Sequence, residues 1–159
     1  MRDAFPETWL RIHSLPDSKR YPENEAEKNI ILDRYSAFGT ALLAERARCL
    51  VIQSCYNGFG PNMELMPELR WSPIHRVGEG EDAWDSWMTH SIWEPSNFAA
   101  LLLKIAECSE GSIAFVSEVT DCVFAPYDGG ADGFSCNKTL LSLLSEKFAP
   151  WRSSILSGL

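Results

Sequence analysis

Two carboxylates bracket a glycine turn in Tyr127-Asp128-Gly129-Gly130-Ala131-Asp132-Gly133. Oxygen donors on such a turn suit a hard cation or the polar groups of a ligand. The segment lacks the alternating acids and later bidentate Glu of a calcium loop. Its plainer reading is a hairpin turn in which Asp128 bonds its own backbone. A second set lies near the start of the chain. Arg11 and His13 alternate along Trp9-Leu10-Arg11-Ile12-His13-Ser14-Leu15, and Lys19 and Arg20 follow in a loop. Side chains two apart on a strand share a face. Arg11, His13 and Arg20 therefore offer an anion pocket, with Tyr127, Asp128 and Asp132 as acid/base or ligand groups. That arrangement requires the late hairpin to fold beside the first strand.

Nothing else in the chain has the spacing of a catalytic set. His13 adjoins Ser14, but neighbours on a strand point to opposite faces. His75 lies in an irregular segment and His90 among tryptophans, where a lone histidine is more often structural. There is no G-x-S-x-G, no phosphate loop and no dinucleotide fingerprint. The five cysteines, at 49, 55, 108, 122 and 136, are odd in number and never spaced C-x-x-C. They read as free thiols in a reducing compartment, and no metal or other cofactor is expected.

A third set is built for contact rather than chemistry. Four of the six tryptophans fall between residues 71 and 93, among Glu79, Glu81, Asp82 and Asp85. Trp84 and Trp87 would anchor a partner there, with the carboxylates steering it. The plainer reading is that these indoles fill the core.

Charge supports the contact reading. Net charge is −8, and residues 51–110 carry nine acids against three bases. An acidic chain with no basic stripe is poorly suited to nucleic acid, whose phosphates must be neutralised. A basic protein partner fits better. The first residues show no signal-peptide pattern, and the longest apolar run, Phe98 to Leu103, is too short to cross a bilayer. The expected setting is cytoplasmic, away from membranes.

The elements that must position these groups follow from periodicity. Trp9 to Leu15 alternates as a half-buried strand. Asn24 to about Glu45 carries Ile31, Tyr35, Phe38 and Leu42 on one helical face, and Gly39 would let that face approach closely. Ala47 to Tyr56 is an apolar run suited to a strand buried on both faces. Residues 57–82 are rich in proline and glycine and read as irregular, with a strand near Trp87–Trp93. A helix starts at Pro95-Ser96-Asn97 and ends at Gly111. Ile113–Ser117 is a strand. Cys122–Pro126 and Ala131–Cys136 make a hairpin, and a last helix runs from Asn137 or Lys138 to Phe148, stopped by Pro150. The order predicts one globular domain over 1–159, of α/β class with α+β as the neighbouring possibility. It would be a sandwich with a mixed sheet and about three helices packed on it.

The pieces Leu10-Arg11-Ile12-His13-Ser14-Leu15-Pro16, Ser18-Lys19-Arg20-Tyr21-Pro22 and Ala125-Pro126-Tyr127-Asp128-Gly129-Gly130-Ala131-Asp132 resemble a group of small uncharacterised bacterial cytosolic proteins. The resemblance covers the two ends of the chain and implies no activity. In size, charge and aromatic content the chain is also similar to immunity proteins that neutralise bacterial toxins. Together these readings imply a non-enzymatic protein-binding module, with a small-ligand binder or enzyme at the anion pocket as the alternative.

Overall fold

The structure, a computed structural model, describes residues 7–56, 59–61, 63–109 and 112–152. Ten regular elements run in the order β1 (Trp9–His13), α1 (Glu25–Leu43), β2 (Arg48–Tyr56), β3 (Ser72–Val77), β4 (Trp84–Ile92), α2 (Ala99–Ala106), β5 (Ser112–Ser117), β6 (Val123–Tyr127), β7 (Gly130–Phe134) and α3 (Lys138–Lys147). The strands form one sheet in the order β1-β7-β6-β5-β2-β4-β3. The class is α/β with three helices, as expected.

The sheet is not mixed. Every pairing is antiparallel. A parallel neighbour needs a long crossover, usually through a helix. Here β2 meets β4 on one side and β5 on the other, both running against it. The two long connections insert β3 and α2 without reversing that sense.

Helix α1 begins where its sequence says it should. Asn24 is the N-cap, its side chain accepting from the Glu27 amide at 3.0 Å, and the Glu27 carboxylate accepts from the Glu23 amide at 2.7 Å. Such caps satisfy amides that the first turn leaves without partners. Ala44, at φ 67°, ends the helix. Its buried face, Ile31, Tyr35, Phe38 and Leu42, is the one the 3.6-residue period marks out. Asn137 caps α3 in the same way, accepting from Leu140. Helix α2 stops at Ala106, where Cys108 takes φ 56°. Gly111, expected to end it, lies outside the described residues, as do Asn57 and Gly58, expected to end β2.

All three helices pack on the same face of the sheet. In register, Val51 faces Phe115, Phe115 faces Phe124, Phe124 faces Gly133, and Gly133 faces Leu10. Onto that row α1 brings Tyr35 and Phe38, each edge-on to Phe124 at 6.2 Å. From α2, Leu101 and Leu102 join the core cluster, and Phe98, just before it, lies edge-on to Phe115. Just after α3, Phe148 packs against Phe38 at 5.3 Å. Trp93 is fully buried between Phe98, Phe115 and Phe124. Residues of the irregular stretch, Met66 and Leu69, join the same cluster. The domain is thus two layers thick, and its other sheet face carries no helix among the described residues.

Candidate functional site

The hairpin does fold beside the first strand. Strands β6 and β7 join through Asp128 and Gly129, and Gly129 supplies the positive φ, 92°, that the turn needs. β7 then pairs with β1, setting Arg11 opposite Asp132 and His13 opposite Gly130. The Ser14 amide donates to the Gly129 carbonyl at 3.0 Å.

This closeness joins the predicted groups in pairs rather than leaving them open. Arg11 donates to both Asp132 oxygens, from Nε at 2.8 Å and from Nη2 at 3.0 Å. Both residues are buried, and the guanidinium lies over the rings of Trp9 and Tyr127 at 5.3 and 4.8 Å. Burial disfavours the Arg11 charge, but the facing carboxylate more than offsets this and holds its pKa above the usual arginine value. Asp128 does not close on its own backbone. It reaches across the chain to accept from Arg20 Nε at 2.6 Å and from the Tyr21 hydroxyl at 3.0 Å. The turn is therefore a clasp between the late hairpin and the loop after β1. Arg11 and Arg20 each face a carboxylate, so the expected Arg11/His13/Arg20 anion pocket with Asp128 and Asp132 is filled by its own ion pairs. Among the described residues there is no cluster of three metal-ligating side chains.

His13 belongs to a different cavity. A space of about 230 Å³ opens between the end of β1, the turn Pro16–Ser18, the Arg34 side chain of α1 and the segment Pro150–Arg152. His13 Nε2 lies 3.4 Å from the Ser18 hydroxyl. Burial, then the charges of Arg11 and Arg34, hold the His13 pKa below its ordinary value of 6.5. Arg34 donates to the His13 carbonyl at 2.9 Å, and its guanidinium lies 5.3 Å from the Trp151 ring. Asp17 and Ser18 adopt φ 56° and 57°, two successive non-glycine residues in the left-handed region. Sequence reasoning placed His13 correctly on its strand face but did not find Arg34, Trp151 or Arg152. One signal was present: Arg34 falls in the helical row Ile30–Arg34–Ala37–Ala41, whose other members are apolar and pack against the core.

The tryptophan and acid set divides between the two sheet faces. Trp84 pairs with Tyr56 and Trp87 with Gln53, three residues along the same strand. An odd offset on a strand sends side chains to opposite faces. Gln53 is buried on the helix side, so half-buried Trp87 lies there too, and its indole N–H has no acceptor among the described residues. Asp85 is also on that side, paired with Arg76 at 3.2 Å. Trp84 points to the helix-free face, 43% exposed, with its ring edge-on to Tyr56 at 5.4 Å. Glu79, Glu81 and Asp82 are exposed on the turn just before it, and Asp82 accepts from the Tyr56 hydroxyl at 3.3 Å.

From this aromatic and acidic corner the helix-free face runs through the Ser54–Ser86 pair to two largely apolar rows, the first flanked at Leu50 by exposed His90. Leu50, Val116, Val123, Phe134 and Trp9 stand opposite one another in register over five strands. Beside them Met88, Ile52, Ala114 and Ala125 form a second row that ends in the Asp132–Arg11 pair. Most of these side chains are half-buried by their neighbours alone.

Among the described residues, the domain is one sheet with helices on a single face. The chain belongs to the family described as Domain of unknown function (DUF3885), whose model matches residues 1–155. No curated protein and no solved structure matches it significantly.

Proposed function

We propose that the protein is a protein-binding module, which receives a basic protein partner on the helix-free face of its sheet. The observation that carries this reading is the in-register row Leu50–Val116–Val123–Phe134–Trp9, apolar across five strands and covered by no helix among the described residues. Contiguous exposed apolar surface on a soluble domain marks an interaction site more often than chance. The charge at its corner selects the partner. Glu79, Glu81 and Asp82 present carboxylates beside the exposed Tyr56–Trp84 pair, and the protein carries a net charge of −8. Arginine and lysine side chains suit both the acids and the ring faces. The anchor is therefore Trp84 with Tyr56 rather than Trp84 with Trp87. A toxin-neutralising immunity protein is the instance of such a module that size and acidity resemble.

The test is capture from cells of the source organism with wild-type protein and with two variants, Ile52→Glu and Trp84→Ala. Both positions lie on the helix-free face, so circular dichroism should show the fold retained. The wild type should hold a basic protein that high salt weakens, and each variant should lose at least ~90% of it, as removal of an interface anchor predicts. Equal retention by Ile52→Glu, or a protein that retains nothing basic, overturns the reading. A homodimer that Ile52→Glu dissociates would overturn it as well, since the face would then be covered by a second copy.

A further inference from the structure

The cavity beside His13 has a different character from the sheet face. Among the described residues four basic side chains are at least half-buried: Arg11, Lys19, Lys28 and Arg34. Three of them face carboxylates, Arg11 with Asp132, Lys19 with Glu23 and Glu27, and Lys28 with Glu25 and Glu107. Arg34 faces none. Its neighbours are the His13 carbonyl and the Trp151 ring, and burial alone lowers its pKa. A half-buried guanidinium without a counter-charge is costly unless something supplies one.

The geometry points to a binding site for one small oxyanion, a phosphate or a carboxylate, held in this cavity by Arg34, Arg152 and His13. The guanidinium fork suits either anion through paired N–H donors. Arg34 is fixed for that role, one N–H spent on the His13 carbonyl and the plane set against Trp151. Arg152 brings a second positive charge to the same wall, and the Ser18 hydroxyl and His13 ring add polar groups. The size is right for a small ligand: about 230 Å³ falls below the roughly 300–1,000 Å³ of pockets that enclose drug-sized molecules. The left-handed conformation of Asp17 and Ser18 shapes the opposite wall, and such strain is kept where the surrounding structure uses it. Among the described residues Asp17 is the one acid lining the cavity, and it works against an anion. This site is separate from the sheet face, and either can stand without the other.

The full chain is titrated calorimetrically at neutral pH with inorganic phosphate and, separately, with acetate. One of the two, or both, should bind with one-to-one stoichiometry, and the arm that binds names the head group. Arg34→Gln should weaken binding by about tenfold or more, as loss of a charged hydrogen-bond donor predicts. Because Arg34 also holds the His13 carbonyl, Arg152→Gln and Asp17→Asn serve as variants at exposed positions. Arg152→Gln should weaken binding, and Asp17→Asn should strengthen it. The proposal is overturned by absence of binding for both anions at millimolar concentration, or by affinity that Arg152→Gln and Asp17→Asn leave unchanged.

Discussion

The Arg11–Asp132 pair shows how a residue chosen for its chemistry can serve architecture instead. Its two charges sit on the helix-free face, yet both are buried beneath Trp9 and Tyr127. Removing one partner leaves the other charge buried without the opposite charge that faces it. Asp132→Ala should therefore destabilise the fold by about 3–5 kcal/mol, whereas the double variant Arg11→Met with Asp132→Leu should lie near wild type. Urea denaturation of the three proteins measures this. A small loss in the single variant would mean that water reaches Arg11 readily, and that the pair does not hold β1 to β7. The residue types were legible in the sequence, and so was their face on the strand. Their use was not. Arg11 and Asp132 are 121 positions apart, and only pairing of β1 with β7 turns a free cation into half of an ion pair. The same holds for Arg34, Trp151 and Arg152, which meet only through packing of the C-terminal segment on α1.

At the scale of elements, local rules worked where one period dominated. The α1 stripe, the Asn24 and Asn137 caps and the Asp128–Gly129 turn were all readable because each follows from spacing or from a single backbone requirement. Strand β3 was not. All six of its residues, Ser72–Val77, are exposed, Pro73 removes a donor, and a bulge falls between Pro73 and His75. An edge strand with no buried face leaves no alternation to read. The start of β4 was placed late for a related reason, and this set Trp84 and Trp87 on one imagined surface. The run Ala47 to Tyr56 suggests a strand buried on both faces. In the fold one face of β2 meets helices and the other meets none among the described residues. Gly39 was the most informative single position in α1. A Cβ there would stand 2.4 Å from Trp93 Cζ2 and 2.9 Å from its Cη2. Alanine is favoured over glycine in a helix by about 1 kcal/mol, yet overpacking costs about 1–3 kcal/mol or more. Gly39→Ala should thus destabilise the protein by about 1 kcal/mol or more in chemical denaturation. A stabilised variant would show that Trp93 can shift, and that the helix does not need this close approach.

For the whole molecule, the two layers sort the cysteines without any special chemistry. Cys49, Cys55 and Cys122 are buried, and burial raises the Cys49 thiol to a pKa of about 11. Cys108 and Cys136 are exposed. A thiol reagent applied to the native protein should label two cysteines promptly and the other three only on unfolding. Prompt labelling of Cys49 would show that β2 opens locally, since there β2 is paired on both sides, with β4 and β5. Fold class and helix count follow from composition and element order, which are properties of the whole chain. Sheet direction and the uncovered face do not, because they depend on which strands become neighbours.

The strand order also sets a timetable. β1 precedes the other described strands and lies at one edge of the sheet, but its neighbour among the described residues, β7, is the last of them to be made. Ribosomes add roughly 5–20 residues per second, so the separation of 121 positions from Arg11 to Asp132 corresponds to a delay on the order of 6–24 s. Throughout it, Trp9-Leu10-Arg11-Ile12-His13 remains a strand without a partner. The nascent chain must shelter or tolerate that segment until its own C-terminal hairpin arrives to receive it.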